Sequence, residues 1–384
     1  MQSLEEIFFQ KFNTPCAVIA SAPGRLEILG NHTDYNEGIV LSCAVTQRTA
    51  AAMNFRDDRQ AVIYDCRADE TAVFDLDNFN NTLRPKWANY PAGVVSELAK
   101  RNMFCRGFNA VISSNVPLSA GMSSSAAFET SVLFALAKLH DWQIAPADAA
   151  RLGQGVENCF LGVQTGLLDQ FSSIFGEKDK FILSDFRTVE VLDSAAMSSE
   201  AAILVVNSME KHNLVDSEYN VRRAACESAA AKLAARHNSV KTLRDVSVEL
   251  LESEKSIFTD IEYRRARHVV EECFRVRQAM KFLRNNQLEE FGKLWWDSHE
   301  SSQKNFENST PALDKLVELS RELPGGLGAR LSGGGFGGIS IHLVRKEFLS
   351  EYQQGIAEKF ASYCGKTPEI IVSAPGAGAS AEKR

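Results

Sequence analysis

No run in this 384-residue chain approaches the roughly 18 consecutive apolar residues that a membrane-spanning helix needs, so a membrane partner is not expected. The N-terminal stretch MQSLEEIFFQKF lacks the basic start and apolar core of a secretory signal. It reads as an amphipathic surface helix. The eight cysteines stand singly at 16, 43, 66, 105, 159, 226, 273 and 364, without CxxC or metal-ligand spacing. That scatter argues against a zinc site and suits reduced thiols in a cytoplasmic protein, most of them packed as small apolar side chains. Low-complexity sequence is missing, as are repeats of about 20 to 50 residues, which excludes a solenoid. A basic surplus is missing too: 42 Lys and Arg against 49 Asp and Glu leave a net charge of −7, so no nucleic-acid partner is expected. The best candidate basic patch, Arg264, Arg265, Arg267 and His268, lies beside Tyr263, Ala266, Val269 and Val270 and reads as the solvated face of a helix.

What is present is an ordinary globular composition, 45% apolar and 24% charged, in a chain long enough for two domains. Strand-like runs at Ala17 to Ala20, Ile39 to Val45 and Phe108 to Ile112 alternate with helical spacing at Tyr90 to Arg101, Ser125 to His140 and Pro146 to Phe160. A further strand is expected at Ala202 to Asn207. Long helices follow at Ser217 to Arg236, Glu262 to Arg284 and Asn286 to Lys304, then a strand, a glycine loop and a smaller α/β portion. The fold class is therefore α+β.

Three segments carry the chemistry. PLSAGMSSSAAFE, from Pro117 to Glu129, sets Gly121, Ser123, Ser124 and Ser125 at the head of a helix whose apolar stripe is Val132, Leu133, Leu136 and Leu139. Free amides and the positive dipole end at such a place favour a phosphate, although an ordinary serine cap on a buried helix would look the same. APGRLEILGNHTDYNEGIVL, from Ala22 to Leu41, crowds an arginine, a histidine and carboxylates into a turn between two apolar runs. GARLSGGGFGG, from Gly328 to Gly338, has six glycines in eleven residues. Its Leu331 and Phe336, and the alternation Ile339, Ile341, Leu343 beyond, favour an ordered loop over a flexible linker.

In this order and at these separations the segments resemble the GHMP small-molecule kinases, and the Ala22 to Leu41 signature resembles galactokinases in particular. WANYPAGV from Trp87, NCFLGVQTGLLDQFSSIFG from Asn158, VVNSMEKHNLVDSEYNVRRAACE from Val205, YRRARHVVEE from Tyr263 and the Ser298-His299 pair extend the likeness over nearly the whole chain. The resemblance implies a two-lobed GHMP kinase fold, with lobes at residues 1–190 and 191–384 and the active site in the cleft between them. It implies an ATP-dependent sugar 1-kinase with Mg²⁺, whose partners are a small sugar and ATP, as a monomer or weak dimer.

Carried over residue by residue, the likeness makes Asp169 the carboxylate that orients or deprotonates the sugar C1 hydroxyl, with Arg25 beside it stabilising the transferring phosphoryl group. It places Gly121, Ser123, Ser124 and Ser125 on the phosphates, Trp87 and Tyr90 beside the adenine, and Gly333, Gly334 and Gly335 in the third motif. Glu157 matches a magnesium ligand, joined by Ser124 or Ser125. His32 and Asp34 fall on ring hydroxyls, with Tyr219 and the backbone at Gly166 completing the pocket. Local sequence alone reads several of these otherwise: Asp169 as a cap or turn, Glu157 as a solvent-facing helical residue, His32 and Asp34 as turn formers, Trp87 as core.

One departure bears on the substrate. Galactokinases typically read GRxNxIGEHxDY, whereas this chain reads GRLEILGNHTDY, with Glu27 for the asparagine and Asn31 for the glutamate that contacts the sugar O6. Three readings follow: a galactokinase that binds O6 through neutral Asn31, a kinase for a C6-modified galactose such as galacturonate, or a non-catalytic galactose sensor.

Overall fold

The computed structural model describes residues 2–118, 121–210 and 215–384. Ser119 and Ala120 of the serine loop, and residues 211–214 of the segment from Val205, lie outside the described residues. The first lobe is built on β1 (Val18–Leu29), β2 (Ile39–Phe55), β3 (Gln60–Asp65), β4 (Glu70–Asp75), β5 (Phe108–Ser114), β6 (Lys180–Asp185) and β7 (Glu190–Ala196). The second holds the antiparallel strands β8 (Ala201–Asn207), β9 (Gly326–Ser332), β10 (Ile339–Arg345) and β11 (Ile370–Ser373) in the order β11-β8-β10-β9. The last strand, β12 (Ser380–Lys383), returns to the first sheet and pairs with the edge of β1. The chain thus changes sheets between Ala196 and Ala201 and again after Ser373, where the sequence suggested a single division near residue 190.

The central pair explains how the site is held. β2 pairs with β1 along most of its length, with β6 through residues 39–42 and with β5 through residues 49–55. β1 is buried along nearly its whole length, as a strand covered on both faces must be. Its ladder to β2 shifts register between Pro23 and Arg25 and again between Glu27 and Leu29. Such bulges turn side chains away from the sheet's plain alternation. They occur where β1 delivers Arg25 and Glu27.

Helices Ser124–Leu139 and Leu168–Phe175 pack on β1 and β2, and the expected stripe Val132, Leu133, Leu136 and Leu139 is buried. On the other side, Cys273, Val276, Ala279 and Met280 of helix Asp260–Arg284 join Leu26, Ile28 and Leu29 of β1, Ile339 and Ile341 of β10 and the fully buried Trp295 in one core. The two lobes share this seam. The basic patch is corrected here: Arg265 and His268 are buried, because their helix is covered on more than one face. Arg265 binds the Glu307 carboxylate and the Asn305 carbonyl, while His268 reaches Ser301 Oγ at 3.0 Å and the Asn31 carbonyl at 3.2 Å. Burial holds His268 down at about 3.

The N-terminal helix forms at Leu4–Phe12, capped by Ser3, with Phe8 buried. All eight cysteines are unpaired, and Cys16, Cys43, Cys105, Cys226 and Cys273 are buried. The hairpins β3/β4 and β6/β7 and helices Pro311–Glu322 and Leu349–Cys364 were not anticipated individually. The helix that begins at Pro146 widens into a π-turn at Val156–Leu161, a local form common at functional sites, and so delivers Glu157.

Phe171, on the helix that carries Asp169, is fully buried and stacks on Phe175 at 4.2 Å between ring centroids. Phe171→Ala is expected to cost about 3–5 kcal/mol, read as a lower urea midpoint at unchanged m-value.

Candidate active site

Three cavities with shared lining residues lead from the seam into the first lobe. The first is lined by Arg25, Glu27, Asn31, His32, Asp34, Gly166, Asp169, Tyr219, Gly333 and Gly334, among others. The second shares Arg25, Asp169, Gly333 and Gly334 with it and adds Gly121, Met122 and Ser123 to Ser125. The third shares Ser124 and Ser125 with the second and is walled by Trp87, Tyr90, Phe128, Asp65 and Arg67. The structure therefore brings every predicted site residue except Glu157 onto the first or third cavity or the channel between them. Glu157 sits beside the channel through Ser125.

Arg25 and Asp169 mark the junction of the first two cavities. Arg25 Nε donates to Asp169 Oδ1 at 2.8 Å, its NH2 lies 2.7 Å from the same oxygen, and NH1 donates to the Gly121 carbonyl at 2.5 Å. The Arg25 amide donates to the Met122 carbonyl at 3.0 Å, and Gly24 permits this approach, since a Cβ there would lie 2.4 Å from that carbonyl. Asp169 occupies the first turn of its helix, where the dipole favours a carboxylate. Its second oxygen accepts from the Ser123 hydroxyl.

That bond decides how the serine loop works. Ser123 is the N-cap of helix Ser124–Leu139, in left-handed backbone (φ 54°), and makes no side-chain cap bond. Its hydroxyl goes to Asp169 instead. The helix N-terminus is thus left open toward the second cavity, where its free amides suit an anion. Opposite lie the glycines of the third motif, with Gly333, Gly335 and Gly337 at positive φ. Asn308 holds this loop: its carbonyl accepts from Phe336 N at 2.6 Å and its amide donates to the Gly334 carbonyl at 3.2 Å.

Glu157 accepts from Ser125 Oγ at 3.2 Å and from Thr165 Oγ1. Burial first, and the nearby Asp169 charge second, push its carboxyl upward. Glu129 lies buried close by, raised well above the ordinary range by burial and by Glu157, with only a long contact from Gln170 Nε2 at 3.4 Å. Among the described residues no group of three or more His, Cys, Asp and Glu side chains is placed to hold a metal. A cation held at Glu157 and Ser125 would need oxygens from a bound phosphate to complete its shell.

The first cavity is polar and stiff. His32, in left-handed backbone (φ 59°), has both ring nitrogens engaged, with Tyr35 Oη at 3.0 Å and the Gly334 carbonyl at 3.1 Å. Its ring packs on Phe306 and Tyr219, and burial holds it down at about 4. Asp34 opens the short helix Asp34–Asn36 and is pushed up to about 6, chiefly by burial and then by Asp169. Gly166 abuts Asp34 so closely that a Cβ would lie 1.6 Å from Asp34 Oδ2. Asn31 is buried with its side chain bound to Glu27, Gly333 and Asn308. In the third cavity the Trp87 indole N–H has no hydrogen-bond partner among the described residues. Sequence reasoning missed Thr165, Asn308, Arg330 and Ser332, which carry no motif of their own; Thr165, Arg330 and Ser332 stood inside quoted segments, and Asn308 did not.

A kinase of the GHMP class is what this fold and cleft define, and the comparisons agree. Residues 89–177 match the GHMP kinases N terminal domain, residues 279–360 the GHMP kinases C terminal domain and residues 6–55 the galactokinase galactose-binding signature. The chain is 38% identical over 383 residues to a galactokinase of Haemophilus influenzae, covering 98% of each, and 36% identical to one of Mannheimia succiniciproducens, covering 97% of each. It overlays the crystal structure of Lactococcus lactis galactokinase complexed with galactose at a TM-score of 0.92 and 29% identity, covering 98% of both chains. The Methanococcus jannaschii mevalonate kinase shares the fold at a TM-score of 0.62 and 18% identity, over 94% of this chain and 99% of that one. The chain belongs to the galactokinase family.

Asp34 yields a signed pH effect. Between its unfolded value of 3.8 and its folded value of about 6 the native chain binds a proton that the unfolded chain has released. This group's contribution to stability therefore grows as pH falls through 6, and Asp34→Asn removes that slope and raises the Tm at pH 7 by about 2–4 °C. Thermal melts of both proteins from pH 4.5 to 7.5 measure it. Gly166→Ala is expected to displace the Asp34 carboxylate and weaken ligand binding in the first cavity by at least about 10-fold, measured by calorimetry, with nucleotide affinity retained.

Proposed function

We propose that the protein transfers the γ-phosphoryl group of ATP to the C1 hydroxyl of galactose, giving galactose 1-phosphate and ADP, in the cytoplasm. The observation that carries this reading is the Arg25–Asp169 pair standing where the first cavity meets the channel under the open helix N-terminus. An acceptor hydroxyl in the first cavity and a terminal phosphate in the channel would meet at that pair. Asp169 orients the hydroxyl and takes its proton as the new P–O bond forms. Arg25 holds Asp169 in place and faces the charge that spreads over the transferring oxygens. The loose transition state asks little of the nucleophile, so Asp169 acts by positioning first and as a base second.

The triphosphate lies along Gly121 and Ser123 to Ser125, with Gly333 to Gly335 opposite, and the base enters between Trp87 and Tyr90. Mg²⁺ suits the oxygen donors Glu157 and Ser125, which already touch; Ser124 makes no such contact with Glu157. When bound, it supplies charge neutralisation on the phosphate oxygens. Asp34 and Gly166 form the sugar floor, while His32, with both nitrogens engaged, supports Gly334 and offers the sugar its ring edge. A galacturonate kinase would need a free amide hydrogen on Asn31, and both are taken.

Turnover with galactose, galacturonate, N-acetylgalactosamine, glucose and talose, with the phosphorylated carbon identified, tests the reading. Galactose is expected to dominate, at C1. Asp169→Asn is expected to lower kcat by about 10²- to 10⁴-fold while galactose still binds; near-normal turnover would remove Asp169 from its role.

A further inference from the structure

Asn31 and Glu27 differ in what each has left to offer a ligand. Asn31 is 1% exposed, and its amide spends both hydrogens, on Glu27 Oε1 at 2.8 Å and on the Gly333 carbonyl at 2.8 Å. Its Oδ1 accepts from Asn308 Nδ2 at 2.9 Å, so a neutral amide in this place has no donor to spare. Glu27 is 4% exposed and lines the same cavity. All its side-chain bonds fall on Oε1, which takes Asn31 and, at 3.2 Å, Arg330 NH2. Oε2 has no hydrogen-bond partner among the described residues and is not sealed away in the core.

We propose that Glu27, and not Asn31, is the specificity-determining acceptor of the sugar site: its free oxygen Oε2 takes a hydrogen bond from one galactose hydroxyl. The reading rests on galactose as substrate. Asn31 becomes the positioning residue, since its amide and Arg330 fix the carboxylate plane while Asn308 and Gly333 fix the amide. The two polar groups have changed places along the chain yet face one another, so the pair still presents a carboxylate to the cavity. A carboxylate only accepts, which favours a neutral hydroxyl and disfavours a sugar bearing its own carboxylate.

The experiment measures kcat and KM for galactose and for its 2-, 3-, 4- and 6-deoxy derivatives with the wild-type protein and Glu27→Gln. Glu27→Gln is expected to raise the galactose KM by about 10- to 100-fold with kcat changed only a few-fold. Against that variant one deoxy sugar should lose no further affinity, which names the hydroxyl; a merely structural defect would weaken all sugars equally. The double variant Glu27→Asn/Asn31→Glu keeps a buried charge opposite Arg330 and serves if Glu27→Gln does not fold: its galactose KM should stay within a few-fold of wild type. An unchanged KM in Glu27→Gln, an equal loss across the deoxy series, or loss of galactose binding in the folded double variant overturns the proposal. Failure of the wild-type protein to phosphorylate galactose would instead overturn the functional reading, and the two failures are separable.

Discussion

The ion pair between Arg25 and Asp169 is the contact on which the rest of the cleft depends. Arg25 is nearly buried, so its guanidinium requires acceptors, and it finds them in Asp169 and in the Gly121 carbonyl. With those bonds it ties strand β1, the serine loop and helix Leu168–Phe175 into one frame. Removing one partner of such a pair leaves the other charge uncompensated, at a cost of about 3–5 kcal/mol when fully buried and less here because Asp169 is partly exposed. Because Asp169 also takes the Ser123 hydroxyl, the helix N-terminus is uncapped by its own serine. One set of hydrogen bonds thus positions a carboxylate and at the same time frees an anion site.

A second buried network supports the frame from the other lobe. Arg330, fully buried, binds the carbonyls of Glu27 and Ile28 at 3.1 Å each as well as the Glu27 carboxylate. Ser332 exchanges hydrogen bonds with the Glu27 backbone at 3.1 Å, and Glu272 accepts from the amides of Gly30 and Asn31. Arg275 and Arg330 offset the burial of Glu272, whose carboxyl is held far below the ordinary range by Arg275 foremost among the groups opposing desolvation. The bulged stretch of β1 has lost part of its sheet ladder, and these side chains take up the backbone groups that the ladder leaves. Polar side chains from the second lobe therefore do for β1 what a neighbouring strand would otherwise do.

Much of the fold was legible because it is local. Val132, Leu133, Leu136 and Leu139 announce a helix by spacing alone, and the helix begins within one residue of the expected start. Asn207 ends both the expected and the observed strand, since its apolar run stops there. The π-turn at Glu157, the hairpin β6/β7 and the return of β12 to β1 left no such trace, because each depends on pairing or widening that no short window specifies. Arg265 and His268 read as surface for the same reason. Their helix looks amphipathic by itself, and only the elements packed around it show that the polar side is covered.

The sequence by itself determined which groups are present: a serine loop before an apolar helix, a glycine-rich turn before a strand, and an arginine, a histidine and carboxylates in a tight turn. Motif order and resemblance were enough to assign the family. Tertiary structure alone decided which of these groups meet. Arg25 reaches Asp169 across 144 residues, Asn31 reaches Asn308 across 277 and Glu27 reaches Arg330 across 303. The exchange of Glu27 and Asn31 shows the difference most plainly. In the sequence it is a pair of departures from a signature, whereas in the fold the two side chains lie 2.8 Å apart and share one hydrogen bond. The physical reason is that a hydrogen bond depends on distance and angle in space, and the separation of its partners along the chain fixes neither.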